Sequence, residues 1–104
     1  MKIVMTTMDD LIEAKKLARK LIDQRLCACA NIVPGIQSIY WWNEHVEEAS
    51  EWLILLKTMD ERVGALLDAI REAHPYETPE GVAIDVTDAL DEYASWVWRE
   101  TRQP

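Results

Sequence analysis

Four large apolar side chains in a row, Ile39-Tyr40-Trp41-Trp42, followed after a short polar stretch by Trp52-Leu53-Ile54-Leu55-Leu56, constrain this chain more than any other feature. Successive residues of a strand point to opposite faces of a sheet, so a half-buried strand alternates apolar and polar positions. These two runs do not alternate. Both faces of the ribbon they form need cover, and the rest of the chain has to be read for what supplies it.

The ribbon belongs to a long hairpin. Cys27 to Trp42 reads as one extended segment broken at Pro34-Gly35, where proline withholds an amide and glycine relaxes the backbone, so a bulge or bend is expected there. Asn43 to Val46 turns the chain, and Glu47 to Thr58 returns as the second strand. An extended segment of about sixteen residues spans at most about 50 Å, while a helix of about seventeen residues spans about 25 Å. The chain's own helices are too short to cover it. Burying Ile39, Trp41, Trp42 and Trp52 against other copies would stabilise an assembly by roughly 1.5 to 3 kcal/mol each, whereas leaving them exposed invites aggregation. An obligate oligomer is expected, with these four residues at its interface.

The 104 residues suit one domain, 1–104, with a single core. About half the residues are apolar, with five Trp and no Phe, which excludes a disordered chain. Nineteen acidic residues against eleven basic ones give a net charge of −8, a surface that repels phosphate backbones, so nucleic acid is not an expected partner. The N-terminus, MKIVMTTMDD, lacks the apolar core of a secretory signal, and no apolar stretch is long enough to span a membrane; the chain reads as soluble and cytoplasmic. Cys27 and Cys29 on one extended segment lie roughly 6.5 to 7 Å apart, beyond comfortable disulfide reach.

The remaining elements follow from periodicity. Lys2 to Thr6 is a short strand, and Thr7 with Asp10 three residues on has the spacing of a helix cap. Leu11, Ala14, Leu17, Ala18, Leu21 and Ile22 form the apolar stripe of a first helix. The pattern repeats: Thr58 and Glu61 in TMDE open a second helix striped by Val63, Leu66, Leu67, Ile70 and Ala73, which Pro75 and Pro79 bring to an end. Val82, Ile84 and Val86 alternate as a fourth strand, and Thr87 or Asp88 caps a last helix carrying Leu90, Tyr93, Ala94 and Val97. The order βαββαβ with right-handed crossovers is an α+β, ferredoxin-like arrangement with an extra C-terminal helix and a long β2–β3 hairpin. Both main helices then lie on one face of the sheet and leave the other bare.

CACANIVPGIQSIYWW (Cys27 to Trp42), the run from Glu51 to Thr58, and HPYETPE (His74 to Glu80) together resemble the CutA family of divalent-cation tolerance proteins, in the same order and over nearly the whole chain. The resemblance implies a ferredoxin-like protomer, a homotrimer held by the long hairpins, and an association with copper or other divalent ions. Neighbouring subunits would then cover the second face of the ribbon. The chain also departs from the pattern. Gly81 and Asp85 stand where many members have an aliphatic residue and a proline, and Thr87-Asp88-Ala89 replaces a glycine-containing loop. Met5 and Ala73 stand where some members have a thiol and a first histidine, which leaves His74 as the strong donor.

The candidate metal residues are therefore His74, Glu77 and Met5, an imidazole, a carboxylate and a thioether, a set suited to copper. His74 could equally hydrogen-bond to backbone and terminate its helix. Cys29, Tyr40, Lys57, Tyr76 and Glu80 are candidates for an intersubunit cleft beside the HPYE loop. Cys27 and Cys29 read most simply as small packing residues. No phosphate loop, zinc-protease motif or activated nucleophile is present, so no enzyme activity and no organic cofactor is expected. A PII-like trimeric signalling or small-ligand sensing protein is the alternative within the same architecture, and a purely structural scaffold is a third reading.

Overall fold

A computed structural model describes residues 1–102. The strands are β1 (Lys2–Met8), β2 (Cys29–Trp42), β3 (His45–Thr58) and β4 (Val82–Asp85); the helices are α1 (Leu11–Asp23), α2 (Val63–Ala73) and α3 (Asp91–Glu100). They form one four-stranded sheet in the order β2-β3-β1-β4, every neighbouring pair antiparallel. This is the ferredoxin-like α+β arrangement expected from the element order. Val4 and Met8 of β1, Ile54 and Leu56 of β3, and Ala14, Leu17, Leu21, Leu66 and Ile70 of the two helices make the core between sheet and helices.

Local expectations about the helix starts are corrected by the ladders. β1 continues through Met8, so Thr7 is a strand residue opposite Leu53, and Asp10 caps α1 by accepting a hydrogen bond from the Ile12 amide at 3.3 Å. Thr58 is likewise the last residue of β3. Its hydroxyl donates to the Leu26 carbonyl at 2.7 Å, and a 3-10 turn over Asp60–Arg62 leads into α2 instead of a threonine cap. α1 ends without glycine: Arg25 takes φ +60°, while the Arg25 and Leu26 amides return to the Ile22 and Leu21 carbonyls. Neither Thr87 nor Asp88 caps α3, whose N-cap position is Leu90, with no side-chain hydrogen bond. The fourth strand stops at Asp85, and Val86 only donates its amide to the Met1 carbonyl.

The hairpin is as long as the sequence demands. Two 14-residue strands meet at a two-residue turn, Asn43-Glu44, with φ of 49° and 67°, tighter than the expected turn over Asn43 to Val46. Such strands measure roughly 46 Å, close to the molecule's longest dimension of 44 Å. The break at Pro34-Gly35 is a bulge: Val33 pairs with Leu53 but Ile36 pairs with Glu51, so β2 carries one residue more than β3, with Gly35 at φ +76°. That extra residue reverses the alternation of β2. Cys29, Asn31 and Val33 before it share a face with Ile36, Ser38, Tyr40 and Trp42 beyond it, while Ile39 and Trp41 turn to the helix side.

The face opposite the two main helices is not entirely bare. α3 meets its base, where Val97 is fully buried, Tyr93 reaches Cys29, and Arg25 pairs with Glu100 at 3.0 Å. The loop between α2 and β4 meets it at the root of the arm. The arm's outer part has no cover among the described residues: Ile39 is 69% exposed, Trp41 74% and Val46 58%.

Candidate functional site

α2 is turned out of its helical path at His74, whose amide still closes the last turn on the Ile70 carbonyl at 2.9 Å. Pro75 follows and cannot continue the helix. The His74 ring is 6% exposed and fixed at both nitrogens: Nε2 lies 2.7 Å from the Thr7 carbonyl, and Nδ1 accepts the Tyr76 amide at 3.1 Å. A carbonyl only accepts and an amide only donates, so the arrangement selects the neutral tautomer with its proton on Nε2. The imidazole thereby fastens the 75–80 loop to the end of β1. Its ring also meets that of Tyr76 edge-on, with centroids 4.5 Å apart.

Held in this way, the loop faces the hairpin arm, from Glu51 at its root to Trp42 at its tip, across a cleft of about 790 Å³. Tyr76, Glu77, Pro79 and Glu80 line one side; Ser38, Tyr40, Trp42 and Glu51 line the other. Glu51 is the link between them. It is only 7% exposed, and its Oε2 accepts a hydrogen bond from the Tyr76 hydroxyl at 2.7 Å. Burial, and then that bond to a carboxylate, push the Tyr76 phenol above its ordinary range. Glu80 is pushed up as well, first by burial and then by the negative charge of Glu51. The cleft thus combines aromatic walls with carboxylates, and no lysine or arginine among the described residues lines it.

Of the residues singled out from the sequence, Tyr40, Tyr76, Glu77 and Glu80 come together in this cleft, beside Ile39, Trp41 and Trp42. Cys29 and Lys57 do not join them. They are paired in the row of Ile3, four residues along β1 from Thr7, or roughly 13 Å. There Lys57 hydrogen-bonds to Asn31 and lies 4.0 Å from the Cys29 sulfur. Burial, and then its neighbour Cys29, push the Cys27 thiol up to about 12, which makes it inert packing. Met5 sits in the ladder between Leu55 and Val82, two residues from the Thr7 carbonyl that holds His74. Trp52 is partly buried opposite Met8. Among the described residues, no three His, Cys, Asp or Glu side chains come together as a metal-binding group.

Glu51 is the site residue that sequence reasoning missed. One indication was available: Glu51, Leu53 and Leu55 alternate onto one face of β3, so an acid stands at the end of an apolar row.

A four-stranded sheet in this order, with two helices on one face and a hairpin that outruns them, defines a ferredoxin-like α+β protein built around a projecting arm. The chain belongs to the CutA1 divalent ion tolerance protein family, which it matches over residues 2–100. The Divalent-cation tolerance protein CutA of Thermus thermophilus is 37% identical over 100 residues, covering 96% of this chain and 97% of that protein. Human Protein CutA is 43% identical over 88 residues, covering 85% of this chain and 49% of the relative, so the chain spans about half the length of that longer protein. The crystal structure of CutA1 from Pyrococcus horikoshii superposes with a TM-score of 0.93 at 37% identity, covering 99% of this chain and all of the other.

Proposed function

We propose that this chain works as a homotrimer that binds divalent cations, copper among them, and catalyses no reaction. The observation that carries the assembly is the exposure of Ile39, Trp41 and Val46 on an arm no helix of the chain reaches, together with the exposed Val82 and Ile84 on the edge strand β4. Closed cyclic packing would cover those side chains and leave no free sheet edge. Family membership supports the cation part of the reading. His74, Glu77 and Met5 are the chain's candidate donors, and imidazole with thioether suits copper. Within one chain they do not form a coordination sphere, because both ring nitrogens of His74 are engaged and no three strong donors converge among the described residues. The cation reading therefore goes with the assembly, in which adjoining copies complete the donor set. A cleft without lysine or arginine fits an anionic nucleotide poorly, so the reading as a nucleotide-sensing trimer is set aside.

Light scattering on the eluting protein at micromolar concentration tests the assembly: a mass of three chains is expected, and a stable monomer overturns it. Calorimetric titration of the same sample with copper, then zinc, tests the cation. Uptake that Glu77→Gln and Met5→Leu weaken together is expected, and no heat from either metal removes that half of the reading.

A further inference from the structure

The outer face of α1 is strongly basic in a chain whose net charge is −8. Lys15, Lys16, Arg19 and Lys20, four of the eleven lysines and arginines, fall within six residues, and all are exposed. The helical repeat that buries Ala14, Leu17, Ala18 and Leu21 in the core turns these four to the opposite side.

Acids do not neutralise this face. Lys15, Arg19 and Lys20 have no ion pair or side-chain hydrogen bond among the described residues, and Lys16 has only an exposed contact with Glu13 at 3.7 Å. Asp23 stands one turn beyond Arg19 and Lys20 and pairs with neither. Four cations elsewhere have acids of their own: Lys2 with Asp85, Arg25 with Glu100, Arg71 with Asp68 and Arg102 with Glu61. On α1, by contrast, Lys15 and Arg19 are like charges four residues apart, as are Lys16 and Lys20, an arrangement that works against the helix. A negative partner laid across them relieves that repulsion. Ile12, 68% exposed, precedes Lys15 and Lys16 by three and four residues, so an apolar side chain stands beside the charges.

The extent of the patch selects the kind of anion. From Lys15 to Lys20 the helix rises about 8 Å, or about one and a half turns. A membrane or a nucleic acid duplex extends far beyond that and meets the acidic remainder of the surface as well. A short segment of polypeptide, with a screening length of about 8 Å at physiological salt, feels chiefly the four cations. Carboxylates also suit Arg19, whose planar guanidinium accommodates both oxygens of one carboxylate at once.

We propose that the outer face of α1 is a docking surface for a short acidic segment of a partner protein, whose carboxylates pair with Lys15, Lys16, Arg19 and Lys20 while an apolar side chain beside them covers Ile12. None of these residues belongs to the arm or to the β4 edge assigned to neighbouring copies. The surface is therefore independent of the cation reading, and every chain of an assembly carries it.

The test is a nuclear magnetic resonance titration of the isotopically labelled protein, in its native assembly, with a short synthetic peptide of glutamates around one central leucine. The same peptide with glutamine for glutamate is the control. Saturable shifts of the amides from Ile12 to Lys20 are expected with the acidic peptide and none with the control, and the affinity should fall steeply as salt is raised. Lys16→Glu combined with Arg19→Glu should weaken binding about tenfold, and Arg19→Gln alone about threefold. All of these side chains are exposed, and circular dichroism verifies that the variants keep the fold. No saturable shift on α1 at millimolar peptide overturns the proposal, as does equal affinity in the double variant. Tighter binding of phosphatidylserine vesicles or of a DNA duplex than of the peptide overturns it in favour of those surfaces. A changed mass of the double variant in light scattering overturns it too, by assigning the face to contacts between copies.

Discussion

The Tyr76 hydroxyl donates a 2.7 Å hydrogen bond to Oε2 of Glu51, joining residues 25 apart in sequence and tying the loop after α2 to the root of the hairpin arm. The bond is to an acceptor that carries charge when ionised, in a partly buried place, and such bonds contribute about 1.5 to 3 kcal/mol. Tyr76→Phe should lower unfolding stability by about 1 to 2 kcal/mol in a urea titration at neutral pH. An unchanged midpoint would show that the loop is held by His74 alone.

The same contact has an alkaline consequence. The folded-state pKa of Tyr76 is raised, so its contribution is fully present below the unfolded value of about 10 and is lost as pH rises through the folded one. Buried Cys27, pushed up to about 12, acts in the same direction from its unfolded value of about 8.5 upward. Stability should therefore decline from about pH 9. In Tyr76→Phe the decline above pH 10 should be shallower, as read by thermal unfolding at several pH values.

Two buried threonines should respond oppositely to the same substitution. The Thr6 hydroxyl lies in the core with no hydrogen-bond partner among the described residues, so Thr6→Val removes an unsatisfied group and should stabilise by about 1 kcal/mol. Thr58→Val deletes the donor to the Leu26 carbonyl and should destabilise by about 1 to 2 kcal/mol. Thermal melts of the two variants under one condition decide both signs.

Glu80 is held above its ordinary carboxylate range by burial and by Glu51, so the folded protein prefers it protonated. A raised folded pKa means stability that is present below the unfolded value of about 4.3 and lost as pH rises through the folded one. Glu80→Gln should consequently be more stable than the parent at pH 7, by less than about 1 kcal/mol because solvent screens the pair. Below pH 4 the advantage should vanish, and an advantage that persists there would point to packing instead.

A charge on the arm tests what covers it. Trp41→Glu places a carboxylate on the most exposed indole of the ribbon. If copies pack there, light scattering should show a smaller species or a mixture, while far-ultraviolet circular dichroism keeps the parent's strand and helix content. An unchanged mass would mean that the outer arm is not part of the contact.

The elements were legible because their periodicities are strong: the stripe Ala14, Leu17, Ala18, Leu21 is buried as the helical spacing demands, and the two strands of the long hairpin pair on both sides of the bulge at Pro34-Gly35. Helix starts were not legible. Thr7 and Thr58 have the residue type and spacing of caps, but ladder pairing holds both in strands, and a local preference of about 1 kcal/mol yields to that. The end of α1 carries no glycine to announce it, since Arg25 takes the left-handed conformation itself. Parts of the site were visible as the HPYETPE motif, whereas Glu51 became meaningful only once the fold brought Tyr76 against it. Cys29 and Lys57 are expected in a cleft shared between copies, beside the HPYE loop, and the register of one chain, which sets them roughly 13 Å along the ladder from Thr7, does not bear on that.

The inserted residue at Pro34-Gly35 decides which way the whole outer ribbon looks. A regular ladder there, with every residue kept and none accommodated in a bulge, would set Ile36 opposite Ser50, bring Trp41 to the face of Glu51 and send Tyr40 and Trp42 to the other side. Such a one-residue slip would turn the arm inside out, taking Tyr40 and Trp42 away from the cleft and offering neighbours a different surface, with the helices and the core beneath left as they were.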